Sequence, residues 1–107
     1  VEKRGNVPDA VIAANDVMAI GCIDEAREGH GLHVPNDISI VGFDGVGPAR
    51  YAAYEVTTVR QPVQRMTESA ASMLLERIER PELSPEKRAF SGIPIRGGSA
   101  RLLQTGE

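Results

Sequence analysis

Apolar and polar positions along this chain fall into blocks of recognisable period. Val11, Ile12, Ala13 and Ala14 make a short apolar run. The Asn15-Asp16 pair that follows offers small polar side chains of the kind that cap the first free amides of a helix. The pattern predicts a strand over residues 11–14 running into a helix over 17–28, with Asp16 placed as its cap. Within that helix Ala19, Ile20, Cys22, Ile23 and Ala26 share one side of a period of about 3.6 residues, and Asp24, Glu25, Arg27 and Glu28 take the other. Gly29 and Gly31 supply the flexible stop.

Val34-Pro35-Asn36-Asp37 reads as a turn, since proline fixes its own backbone angle and keeps its predecessor extended. The near-continuous apolar run over 38–43 then has the character of a parallel strand covered on both faces. After Asp44 the segment Gly45-Val46-Gly47-Pro48 is loop, residues 49–54 suit a short helix, and the β-branched stretch over 56–60 predicts a third strand. Pro62 fits the first turn of a long helix. Val63, Met66, Ala70, Met73, Leu74 and Ile78 line one face of it down to a stop at Pro81. Residues 81–87 form a polar loop, and 88–96 a last strand bent by Gly92 and Pro94. This order predicts an α/β fold with a mainly parallel sheet flanked by helices.

The chain has 107 residues, the size of one small domain with room for a real core. Its 12 basic and 15 acidic side chains give a net charge of -3, and no dense Lys/Arg cluster suits it to bind DNA phosphates by itself. One cysteine, Cys22, excludes an intrachain disulfide and reads as a small buried apolar residue, so a cytoplasmic setting is permitted. No apolar run approaches the roughly 20 residues that span a bilayer. The start VEKRGNVPDA has no signal-like apolar stretch and reads as sequence from the middle of a longer protein. Residues 102–107 read as a disordered tail.

In an open parallel sheet, ligands sit beyond the carboxyl ends of the strands. That rule singles out Asn15 and Asp16 after the first strand and Asp44 after the second, a set able to read sugar hydroxyls or purine edges. Asp16 has a competing structural role as helix cap. His30 and His33 flank a turn without ligand partners at metal spacing and read as solvated, so no metal or cofactor is expected. Arg96-Gly97-Gly98-Ser99 precedes no helix and matches no phosphate loop; a chain-end turn is the simpler reading. No nucleophile triad or carboxylate pair points to an enzyme.

Three strings, PDAVIAANDVMAIG, GLHVPNDISIVGFD and YEVTTVRQPVQRM, together resemble the lactose and galactose repressor family in order, spacing and residue type, over residues 8 to about 100. The resemblance implies the C-terminal part of a two-lobed effector core like that of periplasmic sugar-binding proteins, occupying residues 1–101. Family members read operator DNA through a separate N-terminal domain. By the same resemblance Asn15, Asp16, Asp44 and Gln61 stand at effector-binding positions, with Gln61 in a crossover strand over 57–62 and Thr57 and Thr58 in the hinge. The long helix would pack on the N-terminal lobe. Homodimer contacts would come from residues 17–23 and 50–54, with Ile20 and Tyr51 at the interface unless they simply fill the core. Gly45, where a second polar residue is common, and the extra glycine of Gly97-Gly98 depart from the pattern.

The function so implied is ligand sensing in a transcriptional repressor. A small molecule, a sugar or sugar derivative with a purine as the other option, closes the lobes and alters the fit of paired DNA-binding heads. The rival is a sugar-binding protein of transport or chemotaxis, which would carry an export signal.

Overall fold

The computed structural model describes residues 7–45 and 47–102. The first six residues, Val46 and the expected tail from residue 103 lie outside them. The element order is β1 (Ala10–Ile12), α1 (Asp16–Asp24), β2 (Ser39–Val41), β3 (Thr58–Arg60), α2 (Val63–Glu79) and β4 (Ile93–Ile95). The chain divides into two compact units, residues 1–60 with 94–107, and residues 61–93.

In the first unit β1 and β2 pair in parallel, Ala10 opposite Ser39, Val11 opposite Ile40 and Ile12 opposite Val41. Parallel neighbours need a long connection, and α1 provides it. Two parallel bridges, Val41 with Thr57 and Asp44 with Arg60, carry the pattern from β2 towards β3, which is hydrogen-bonded to β4. The α/β plan expected from the sequence is present.

The helix that follows β1 buries Ala19, Ile23 and Ala26, one residue per turn, against Ile38 and Ile40 of the β2 segment, with Ala49 and Val56 completing the core. Cys22 and Ile20 are half-buried and pack on this cluster. The helix is α-helical only to Asp24; a π-helical turn over Glu25–Gly29 follows, in place of a regular helix to residue 28. The turn at residues 34–37 forms as expected, with Asp37 accepting a 2.8 Å bond from the His33 amide.

Residues 49–54 are a correction. The segment makes a 3-10 turn, Gly47–Arg50, and then irregular turns rather than a helix. Its side chains explain this, because they are engaged outside the segment. Ala49 is fully buried, Arg50 donates to the Val56 carbonyl at 2.6 Å, and Tyr54 reaches Asp24 at 3.2 Å.

The end of the first unit departs further from expectation. Residues 96–99 are no loose chain-end turn. Ser99 is fully buried, its hydroxyl donating to the Ile40 carbonyl and accepting from the Thr57 amide at 2.9 Å. The Ile40 amide returns a 2.8 Å bond to the Ser99 carbonyl. Gly97 has to be glycine for this to happen, since a Cβ there would collide with the Glu55 carbonyl. Arg101 then ties back to the Ser39 hydroxyl and to the Asp9 carbonyl.

The second unit is built on α2. Its 17 residues match the predicted helix closely, yet none is buried, and Val63, Leu74, Leu75 and Ile78 are each about 60% exposed or more. The last strand shrinks to three residues because Arg88 and Phe90 have other partners. Arg88 binds Glu86 at 2.7 Å and Ser69 at 2.9 Å, and Phe90 lies under the Arg65 guanidinium at 5.2 Å.

Candidate functional site

Two strand ends and one helix end converge in the first unit. Beyond Ile12 the Ala13 amide continues the pairing to the Val41 carbonyl at 2.8 Å. The chain then turns into α1 at Asn15, whose extended backbone (φ -154°, ψ 175°) and side-chain oxygen, accepting from the Met18 amide at 2.9 Å, make it the helix cap. This corrects the expected cap at Asp16. The reason lies one residue on: Asp16 begins the helix and points inward instead of back over its end.

Asp16 has no exposed surface. One carboxylate oxygen accepts from the Thr58 hydroxyl at 2.7 Å, the other from the Gly45 amide at 2.7 Å. Its own amide donates to the Phe43 carbonyl at 3.0 Å. Such closeness between helix and strand requires Gly42, where a Cβ would strike an Asp16 oxygen and sit 3.2 Å from the Ala19 Cβ. Asp16 therefore has the internal role that competed with ligand contact in the sequence, and a buried carboxylate is stable only with such donors around it.

Asp44 stands at the carboxyl end of β2, half-buried, with φ at 130°, a region that side-chain-bearing residues rarely adopt. Its amide donates to the Val59 carbonyl at 2.9 Å, so pairing with the β3 segment holds the unusual backbone. Gly45, also at positive φ (79°), completes the turn. A Cβ added there would sit 3.1 Å from the Arg60 Cβ, and the positive φ would strain the second polar residue that the repressor pattern usually carries at this place. Asn15 and Asp44 thus lie at the ends of paired parallel strands. The Asn15 carbonyl is used in capping and its side-chain amide remains a donor, and Asp44 contributes acceptors.

Thr58 is almost fully buried on Asp16, and Thr57 is half-buried, its hydroxyl accepting from the Gly97 amide at 3.0 Å. Both expected hinge threonines therefore anchor the chain within the first unit. Gln61 is half-buried and belongs to the second unit, where its carbonyl accepts from the Val63 amide.

Of the expected interface residues, Tyr51 is 63% exposed and fills no core, whereas Ile20 packs partly on it. Val17 and Met18 on the same helix are 71% and 57% exposed. Neighbouring Tyr54 donates to Asp24, a bond that raises the phenol above its ordinary pKa. His33 lies beside Asp37 and His30 beside Glu25, each at 3.4 Å. Among the described residues no three His, Cys, Asp or Glu side chains gather as metal ligands.

Sequence reasoning read Ser99 only as part of a chain-end turn and gave Arg101 no role. A lone serine after two glycines gives no periodic signal, and only the fold shows that it joins β2 to the β3 segment.

The periplasmic binding protein-like domain family matches residues 1–100. The HTH-type transcriptional repressor PurR of Erwinia tasmaniensis is 51% identical over 71 residues, 66% of this chain and 20% of that protein. A LacI family transcriptional regulator from Lactobacillus casei with bound sucrose superposes with a TM-score of 0.76 at 30% identity, over 92% of this chain and 36% of that one. The lac repressor dimer bound to operator and the anti-inducer ONPF gives 0.77 at 26% identity, over 90% and 33%. The chain thus spans about a fifth of the length of the curated relatives it matches.

Proposed function

Since the chain belongs to the periplasmic binding protein-like domain family, and its relatives are transcriptional regulators of the LacI type, we propose that it is the ligand-sensing part of a DNA-binding transcriptional repressor. The observation that carries this reading is the placement of Asn15 and Asp44 at the adjoining carboxyl ends of β1 and β2. There they present a donor and a charged acceptor to one small molecule.

Asn15 and Asp44 contact the effector, and Asp16 supports from behind. The effector is a sugar or sugar derivative, with a purine base as the second class. A relative holds sucrose, and hydroxyl-rich ligands need this mixture of donor and acceptor. Binding shifts an equilibrium between two arrangements of the whole regulator, by no more than its differential affinity for them, and operator affinity changes in step. Thr57, bridged to Val41, precedes β3, which Thr58 opens and which leads out of the first unit. The regulator pairs as a homodimer through the α1 face carrying Val17, Met18 and Ile20 and through Tyr51, meets operator DNA through a separate domain, and acts in the cytoplasm. No helix among the described residues is long and apolar enough to cross a membrane.

Calorimetric titration of the regulator with sucrose, ribose, cellobiose and hypoxanthine tests the reading. One of them binds, and Asp44→Asn weakens it by about tenfold or more, the loss expected for a hydrogen bond to a charged group. Unchanged affinity in Asp44→Asn, or no binding of any probe, would count against it.

A further inference from the structure

We propose that Asp16 is a positioning residue: it never touches the effector, but it sets the backbone of Asp44 and ties that turn to the strand by which the chain leaves the first unit.

Three elements meet on its carboxylate. The N-terminus of α1 supplies it, the Gly45 amide directly after Asp44 donates to Oδ2, and the Thr58 hydroxyl at the start of β3 donates to Oδ1. The Asp44 amide is bonded to Val59, the residue after Thr58, so turn and strand are joined twice, once through backbone and once through Asp16. β3 ends at Arg60, where the first unit ends. A displacement of Asp44 on ligand contact would therefore reach Thr58 through a buried carboxylate with both oxygens engaged. Buried polar groups so satisfied have few alternative arrangements, which is what carrying a small displacement requires. The positive φ of Asp44 adds to this, because such a backbone persists only where its surroundings hold it.

The consequence for ligand binding rests on the effector reading above; the structural part does not. Amide hydrogen exchange is followed by NMR in the 107-residue chain and in Asp16→Asn, Thr58→Val and Thr58→Ser. Asparagine keeps the size but turns an NH2 group towards one of the two donors. Exchange at the Asp44 and Gly45 amides rises about tenfold or more in Asp16→Asn and in the same direction in Thr58→Val, and stays as it was in Thr58→Ser. The core amides of Ile23 and Ile40 stay unchanged throughout. Unaltered protection at Asp44 and Gly45 overturns the proposal, and so does equal acceleration at Ile40, which marks a general loosening. Should Asp16→Asn fail to fold, Thr58→Val against Thr58→Ser gives the same decision.

Affinity for the sugar or base found above separates the two readings. If Asp44→Asn abolishes binding and Asp16→Asn leaves it intact, Asp16 does not position the site, and the effector assignment stands. If exchange accelerates in Asp16→Asn while Asp44→Asn binds normally, the positioning role stands and the effector assignment falls.

Discussion

The two units of this chain use apolar residues in opposite ways. In the first, Ile23, Ile40 and Val56 are wholly enclosed, and the polar groups among them, Asp16, Thr58 and Ser99, are enclosed and hydrogen-bonded too. In the second, α2 carries an equally regular apolar stripe and buries none of it. Good helix formers such as Ala70, Ala71, Met73, Leu74 and Leu75 account for the helix itself, and at 17 residues it is just beyond the ~12–15 at which isolated helices become marginal. The periodicity of a sequence therefore reports the face a helix is built to cover, not whether that face is covered. Resemblance to the repressor family implies a partner for it in a neighbouring lobe.

The largest effect expected from this contrast is in the first unit. Ile40→Ala removes a fully enclosed side chain between α1 and the sheet and destabilises the unit by about 2–5 kcal/mol, read from urea unfolding. A loss well under 1 kcal/mol would mean that the core is no tighter than α2.

Ser99→Ala comes next. It deletes one hydroxyl but leaves the Thr57 amide and the Ile40 carbonyl without that partner, a cost of about 1–3 kcal/mol by the same measurement. Exchange should quicken at the Thr57 amide first, since the bond it loses is to the missing hydroxyl.

In α2 the same kind of change does little. Ile78→Ser takes an apolar group from water-exposed surface, and the two residues have similar helix propensity, so helicity and unfolding free energy stay within about 0.5 kcal/mol. A penalty of core size would show that the stripe is covered in solution, and the contrast between the units would collapse.

Legibility followed the same line. α2 was readable almost to the residue because its signal is local, and the strand-end positions Asn15 and Asp44 because strand ends are marked by small polar residues after apolar runs. Residues 49–54 suit a helix by composition, and only the burial of Ala49 and the bonds of Arg50 to the Val56 carbonyl and of Tyr54 to Asp24 decide otherwise. The choice between Asn15 and Asp16 as cap turned on Thr58, 42 positions from Asp16, whose hydroxyl gives the Asp16 carboxylate an inward partner. Long-range hydrogen bonds leave no periodic trace, and the partners of Ser99 and Arg101 were illegible for that reason.

The smallest effect tests what fastens the second unit in the absence of a core. Polar bonds at the surface do so: Arg77 to the Leu83 carbonyl at 2.8 Å, and Arg88 to both Glu86 and the Ser69 hydroxyl of α2. The hydrogen bond from Arg88, aided by its charge, holds the Glu86 carboxyl below its ordinary pKa. A carboxyl lowered on folding adds stability above its unfolded pKa and loses it as pH falls through the folded value. The loop over residues 81–88 should accordingly loosen at the acid end of the carboxylate range, while the first unit's amides at Ile23 and Ile40 hold their protection. Because both side chains are solvent-exposed, salt should shrink the effect. In Arg88→Gln the Glu86 midpoint, followed by carboxyl-carbon NMR, returns upward and loses its salt dependence. A midpoint that stays low in that variant would mean that groups other than Arg88 hold Glu86.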